Sequence, residues 1–230
     1  MLSTVVNSDA APGPLMTFPG VPEIRIRVCY NGVDTEIFRP QAAERPALLA
    51  GARCVIGVIC ALREEKSLPT LVEAFARVRR PGVRLLIVGS GPMLAPLEAL
   101  RDRLGLGSDC LFQPSVAEVS DWLRAIDIFV LPSRSEALSN SLMEAMACGC
   151  AAVASRVGGN PELVEHTQRG LLFRPRDAED LAVQLGFLLD HEDARRRMAE
   201  AGCRFLHENF RLADAARRMG EIYSEFLDNS

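Results

Sequence analysis

The residues best suited to chemistry in this 230-residue chain gather in one stretch, Pro132-Ser133-Arg134-Ser135-Glu136-Ala137-Leu138-Ser139-Asn140-Ser141-Leu142-Met143-Glu144. It follows an apolar run that reads as a strand and leads into helical spacing that ends near Cys148-Gly149. Glu136 falls in the loop and Glu144 one turn into the helix, so two carboxylates can face one crevice from different heights. Ser139, Asn140 and Ser141 are favoured N-cap residues, and backbone N–H groups at a helix start, with the dipole behind them, suit an anion. A plainer reading stays open on spacing alone: Ser141-x-x-Glu144 is a capping box, and Glu136 a solvated loop carboxylate.

Two other loops invite the same question. Val157-Gly158-Gly159-Asn160-Pro161-Glu162 opens a second helix after the next strand, and two helix starts aimed at one crevice suit a phosphorylated ligand. Gly89-Ser90-Gly91-Pro92 fits a tight strand-to-helix turn and fits close approach of the backbone to a ligand equally well. Ala95 and Pro96 stand where a third glycine would complete a dinucleotide fingerprint, and no acidic residue follows a later strand at the expected place. A nicotinamide cofactor is therefore disfavoured.

The elements that must carry these loops are short β-branched or apolar runs alternating with helical periodicity. Strands are expected over 24–30, 54–60, 84–88, 110–113, 126–131, 151–155 and 170–173. Helices are expected over 70–80, 93–104, 118–124, 140–148, 161–166 and 177–189. Such alternation predicts an α/β fold with a doubly wound parallel sheet, and runs as apolar as Val55-Ile56-Gly57-Val58-Ile59 suit strands covered on both faces. After Leu189 only helical spacing follows, over 191–210 and 211–227, so two C-terminal helices must pack on this sheet or on something else. Residues 1–24, with Pro12, Pro14, Pro19 and Pro22, read as an irregular linker.

Composition narrows the partners. With 26 Lys+Arg against 30 Asp+Glu the chain is weakly acidic, which argues against nucleic acid as a ligand; Arg77, Arg79, Arg80 and Arg195 to Arg197 read as solvated helix faces. Seven cysteines lie mostly in apolar runs without zinc spacing, as buried free thiols of a reducing compartment would. Cys148-Gly149-Cys150 reads as packing at a helix end rather than as a redox pair. No apolar run approaches the ~18 residues of a membrane span, and the start lacks a basic signal region. A cytoplasmic location is expected, with peripheral membrane contact left open.

Taken together, the motifs resemble the nucleotide-sugar-binding C-terminal half of family 4 (group 1) retaining glycosyltransferases, enzymes of the two-domain GT-B architecture. Val28-Cys29-Tyr30-Asn31-Gly32-Val33-Asp34 with Phe38 and Pro40 resembles the opening of the second domain. Leu62 and Glu65-Lys66 resemble the phosphate loop. Glu136 and Glu144 match the Glu-x7-Glu signature, which Ala145 to Gly149 and the Gly158-Gly159 segment continue. The sequence departs from the pattern at Ala61 (arginine in the family, with Arg63 two positions later), at Ser67 and Ala137 (glycines), and at Pro114.

The resemblance implies roles. Lys66 would neutralise the donor diphosphate at the leaving group, Glu136 would contact the hydroxyls of the transferred sugar, and Glu144 would bond the ribose. Arg63 would reach the phosphates, the N–H groups of Leu138, Ser139 and Asn140 would hold the distal phosphate, and Gly89 and Gly91 would let the backbone approach the nucleotide. It implies a UDP-, GDP- or ADP-sugar as donor, retention of configuration, and no metal or cofactor; no Asp-x-Asp occurs. It also implies a division into 1–24, the remnant of a first domain and its linker, with 3–9 like that domain's final strand, and 25–230, the donor domain. The acceptor-binding N-terminal domain would be missing, so this chain alone would transfer little or nothing. The stripe of Ala215, Met219, Ile222 and Phe226 would then lack its natural partner. The three histidines read as solvated or core residues rather than as a base. Two alternatives stand beside this: a non-catalytic or split-gene donor-binding module, and a nucleotide-sugar epimerase of similar architecture.

Overall fold

A computed structural model describes residues 3–6, 25–42 and 44–228. Ser3–Val6 (β1) and Arg25–Val28 (β2) form a two-stranded parallel sheet. Six further strands follow: β3 Cys54–Ile59, β4 Val83–Val88, β5 Cys110–Gln113, β6 Ile128–Leu131, β7 Ala151–Ser155 and β8 Leu171–Phe173. They form one parallel sheet in the order β5-β4-β3-β6-β7-β8. The helices are α1 Leu68–Val78, α2 Leu94–Arg103, α3 Val119–Arg124, α4 Asn140–Ala147, α5 Asn160–Leu163, α6 Ala178–Asp190, α7 Glu192–Asn209 and α8 Leu212–Asp228. The doubly wound parallel sheet with two C-terminal helices is the observed fold.

Alternation along each strand splits the apolar runs between two cores. Ile56, Val58, Leu85, Ile87, Ile128 and Val153 pack with Leu71, Phe75, Leu97 and Leu185 from α1, α2 and α6. Val55, Leu86, Val88, Phe129 and Leu131 pack with Leu123, Leu142, Met146 and Leu206 from α3, α4 and α7. Each such side chain removed from water contributes about 1.5–3 kcal/mol, and Phe75 and Phe129 are fully buried.

The seam between β3 and β6, where the strand order reverses, has only two registered pairs, Ile56 with Ile128 and Gly57 with Phe129. Asp127 extends it. Its N–H donates to the Val55 carbonyl at 2.9 Å, and its Oδ2 accepts from Val55 N–H at 2.7 Å and from Arg45 Nη2 at 2.7 Å.

Three expectations are revised. The strand expected over 24–30 pairs with β1 and stands apart from the main sheet. The helix expected over 161–166 is the single turn α5, because the chain turns at Thr167 (φ +70°) to bridge His166 with Gly170. The stripe on α8 is partly covered: Ile222 is fully buried, and the α8 backbone at Ala215 accepts the Cys29 thiol. Of the stretch 1–24 read as a linker, residues 3–6 form β1, while 7–24 lie outside the described residues, as does the Phe226 side chain.

Candidate functional site

At a reversal of strand order, loops from the carboxyl ends of two adjacent strands part in opposite directions and leave a crevice. Here the two strands are β3 and β6, and their following loops bring Lys66 and Glu136 together across 70 positions of sequence. Lys66 Nζ donates to Glu136 Oε1 at 2.6 Å. The side chains are 20% and 11% exposed, so Glu136 is not a solvated loop carboxylate. A lysine ammonium has three N–H donors, and one bond to Glu136 leaves two for an anion.

The β3 loop reaches this position through a 3-10 turn at Glu64–Lys66 that closes on Ser67 in the left-handed region, φ +50°. Ser67 occupies a conformation that glycine adopts without strain, and its hydroxyl lies 3.1 Å from Thr70 Oγ1. The two loops are stitched together, since Arg134 N–H donates to the Glu65 carbonyl and Arg134 Nη1 to Glu64 Oε1, each at 2.8 Å. Arg63 is exposed, and its guanidinium has no partner among the described residues.

Helix α4 starts at the same crevice. Ser139 is its N-cap, accepting weakly from Leu142 N–H at 3.4 Å, and Gly149 (φ +89°) closes its far end. With the cap at Ser139 rather than Ser141, Glu144 lies beyond the first turn and takes no part in a capping box. Burial raises the Glu144 carboxyl above the usual carboxylate range. The backbone N–H groups of Leu138, Ser139 and Asn140 have no acceptor among the described residues, the unpaired donors that a helix start offers an anion. The Asn140 side chain accepts from Asn31 Nδ2 at 2.9 Å.

The glycines have steric work of their own. A Cβ on Gly158 (φ +48°) would lie 1.6 Å from the Glu136 carbonyl oxygen, and one on Gly89 (φ +149°) 1.9 Å from that of Cys60. Gly91 sits against the Leu62 backbone. Thus Gly89 and Gly91 seat the β3 loop, while Gly158 presses the turn after β7 onto the Glu136 loop. The Gly159 N–H is already donated to the Ala137 carbonyl at 2.7 Å, and α5, one turn long, offers little dipole.

Other groups are accounted for structurally. His166 accepts from Leu172 N–H, His191 contacts the Phe187 carbonyl, and His207 contacts the Ala147 carbonyl. All seven cysteines are free thiols. A groove of about 540 Å³ is lined by Arg169, Arg197, Arg204 and Phe205, apart from the residues of this site, and Arg169 there is already committed to Leu163 and Glu165. Among the described residues no helix is long and apolar enough to cross a membrane, and no three His, Cys, Asp or Glu side chains gather to hold a metal ion.

Sequence reasoning placed Ser133 and Asn160 in their loops without a role of their own and passed over Ser155. All three are fully buried at the crevice's base. The only signal was a polar residue at or just past the end of a wholly apolar strand for Ser155 and Ser133, and at a helix start for Asn160.

In sequence and in fold the chain is similar to known proteins. The family model described as Glycosyl transferases group 1 matches residues 42–205. D-inositol 3-phosphate glycosyltransferase of Segniliparus rotundus is 34% identical over 86% of this chain and 46% of its own length. The GDP-mannose-dependent alpha-(1-6)-phosphatidylinositol monomannoside mannosyltransferase of Mycobacterium tuberculosis is 31% identical over 83% of this chain and 54% of its own length. The chain thus spans about half of these relatives. The crystal structure of HepE from Anabaena in complex with UDP-glucose superposes with a TM-score of 0.87 at 25% identity, over 96% of this chain and 63% of that one.

Proposed function

The chain belongs to the group 1 glycosyltransferases, and from that premise we propose that it is the donor-binding half of a GT-B enzyme. It holds a nucleoside diphosphate sugar with UDP, GDP or ADP as the nucleotide. Completed by an acceptor-binding domain, it passes the sugar to an acceptor with retention of configuration. The observation that carries this reading is the Lys66–Glu136 pair at 2.6 Å, set at the strand reversal beside unpaired helix-start N–H groups. The printed donors of the relatives, GDP-mannose and UDP-glucose, are of the same class.

In the transfer the bond from the anomeric carbon to the diphosphate oxygen breaks and that oxygen keeps the electron pair, while the acceptor hydroxyl oxygen bonds the carbon on the same face and gives up its proton to the departing diphosphate. Charge develops on the diphosphate, where a preorganised cation contributes most. Lys66 supplies that charge without metal or cofactor, with exposed Arg63 as a second cation. The N–H groups of Leu138, Ser139 and Asn140 hold the distal phosphate, Glu144 the ribose hydroxyls, and Glu136 the hydroxyls of the sugar. Gly89 and Gly91 shape the floor beneath the nucleotide, and Gly158 and Gly159 the wall behind Glu136. Residues 1–24 are the tail of the acceptor domain and its linker, and 25–230 the donor domain. The reaction belongs to the cytoplasm, with peripheral membrane contact where the acceptor is a lipid.

Titration calorimetry against UDP, GDP and ADP tests this. One of them is expected to bind at ~10⁻³ to 10⁻⁶ M, the usual range for substrates, with little transfer from the chain alone. Absence of binding to all three by the folded protein refutes the reading.

A further inference from the structure

Glu136 is braced from below. Its Oε1 accepts two short hydrogen bonds, from Lys66 Nζ at 2.6 Å and from Ser133 Oγ at 2.6 Å. The Ser133 carbonyl in turn accepts from Ser155 Oγ at 2.7 Å, and the Ser155 carbonyl accepts from Asn160 Nδ2 at 3.0 Å. Ser133, Ser155 and Asn160 are all fully buried. Asn160 Oδ1 has no hydrogen-bond partner among the described residues, although an unpaired buried polar atom costs about 1–3 kcal/mol. The Ser155 carbonyl already receives the Val157 N–H at 2.8 Å, so backbone pairing alone does not require Asn160. Three polar side chains are thus buried in series where apolar ones would fill the space, and the series ends on one carboxylate oxygen.

We propose that Ser133 is a positioning residue for Glu136, itself held by Ser155 and Asn160, and that it leaves Oε2 as the oxygen available to a hydroxyl of the transferred sugar. The inference rests on the donor-binding reading above. A carboxylate turns easily about its last torsion, and an ammonium on a flexible stem holds it by charge with little directional control. The Ser133 hydroxyl, three residues away on the same loop, supplies the direction. With Lys66 and Ser133 both on Oε1, the acceptor capacity of Oε2 is unspent among the described residues.

Calorimetry separates this from a merely structural role. The probes are UDP, GDP and ADP, followed by UDP-glucose, GDP-mannose or ADP-glucose for whichever nucleotide binds. Ser133→Ala is expected to bind the diphosphate within about twofold of the parent and the sugar nucleotide about tenfold more weakly, the scale of one charge-assisted hydrogen bond. Ser133→Thr, which keeps the hydroxyl, restores binding. In a Glu136→Gln background Ser133→Ala adds no further loss, as expected of residues that act through one another. If Ser133→Ala does not fold, Ser155→Ala, which spares both bonds to Oε1, is read the same way at about threefold. The proposal is overturned if these variants alter both ligands alike, including not at all, or if the losses at 133 and 136 simply add. Failure of the parent protein to bind any diphosphate overturns the donor reading itself, and this inference with it.

Discussion

Lys66 and Glu136 illustrate how a partly buried ion pair serves binding rather than stability. Desolvating two charges offsets most of their attraction, but removing one partner strands the other. Lys66→Met is therefore expected to weaken nucleoside diphosphate binding by roughly 10- to 100-fold, the worth of a hydrogen bond to a charged group, which calorimetry would read directly. Glu144 shows the opposite trade. Burial raises its carboxyl, so folding favours the protonated form: stability is greatest below the ordinary carboxylate pKa and falls as pH rises through that value towards the raised one. Glu144→Gln has no charge to desolvate. Its melting temperature should exceed the parent's near pH ~7 and converge with it near pH ~4, while its affinity for the nucleotide declines; an unchanged gap across that range would contradict the burial argument.

Among the elements, the turn after β7 and the β3–β6 seam decide whether the crevice exists. Gly158→Ala would force a Cβ to within 1.6 Å of the Glu136 carbonyl at φ +48°, so a loss of roughly 2–4 kcal/mol in urea unfolding is expected, with strain and displaced backbone both contributing. Asp127→Ala unpairs the buried Val55 N–H and Arg45 and should cost about 2–3 kcal/mol by the same measurement. The strands of this sheet were legible in sequence because their apolar runs must feed two cores at once, and α4 because Ser139 and Gly149 mark its ends. The short α5 was not: Pro161-Glu162-Leu163 carries helical spacing, yet a bridge between His166 and Gly170, invisible to local pattern, ends the helix after one turn. In the site, Glu136 and Glu144 could be seen as carboxylates at a strand-to-helix loop. Ser133, Ser155 and Asn160 could not, since small polar residues beside turns look alike whether they cap, solvate or brace.

At the scale of the whole molecule, the doubly covered sheet keeps its thiols silent. Burial pushes Cys60, Cys110 and Cys148 up to about 12 and Cys54 to about 11, so at pH ~8 no more than about one in a thousand of each is thiolate. An aromatic disulfide reagent should leave these four largely unmodified in the native chain and titrate all seven cysteines after denaturation; rapid native labelling of the four would contradict the packing. The strand reversal carries a further consequence. Lys66 belongs to the half of the sheet made by β3, β4 and β5, and Glu136 to the half made by β6, β7 and β8. Neither half owns a site, and the two charges meet only after the halves have docked. A diphosphate therefore has nothing to grip during folding, and in stopped-flow experiments it should slow unfolding while leaving the folding rate untouched: the ligand acts as a latch on a finished structure and never as its template.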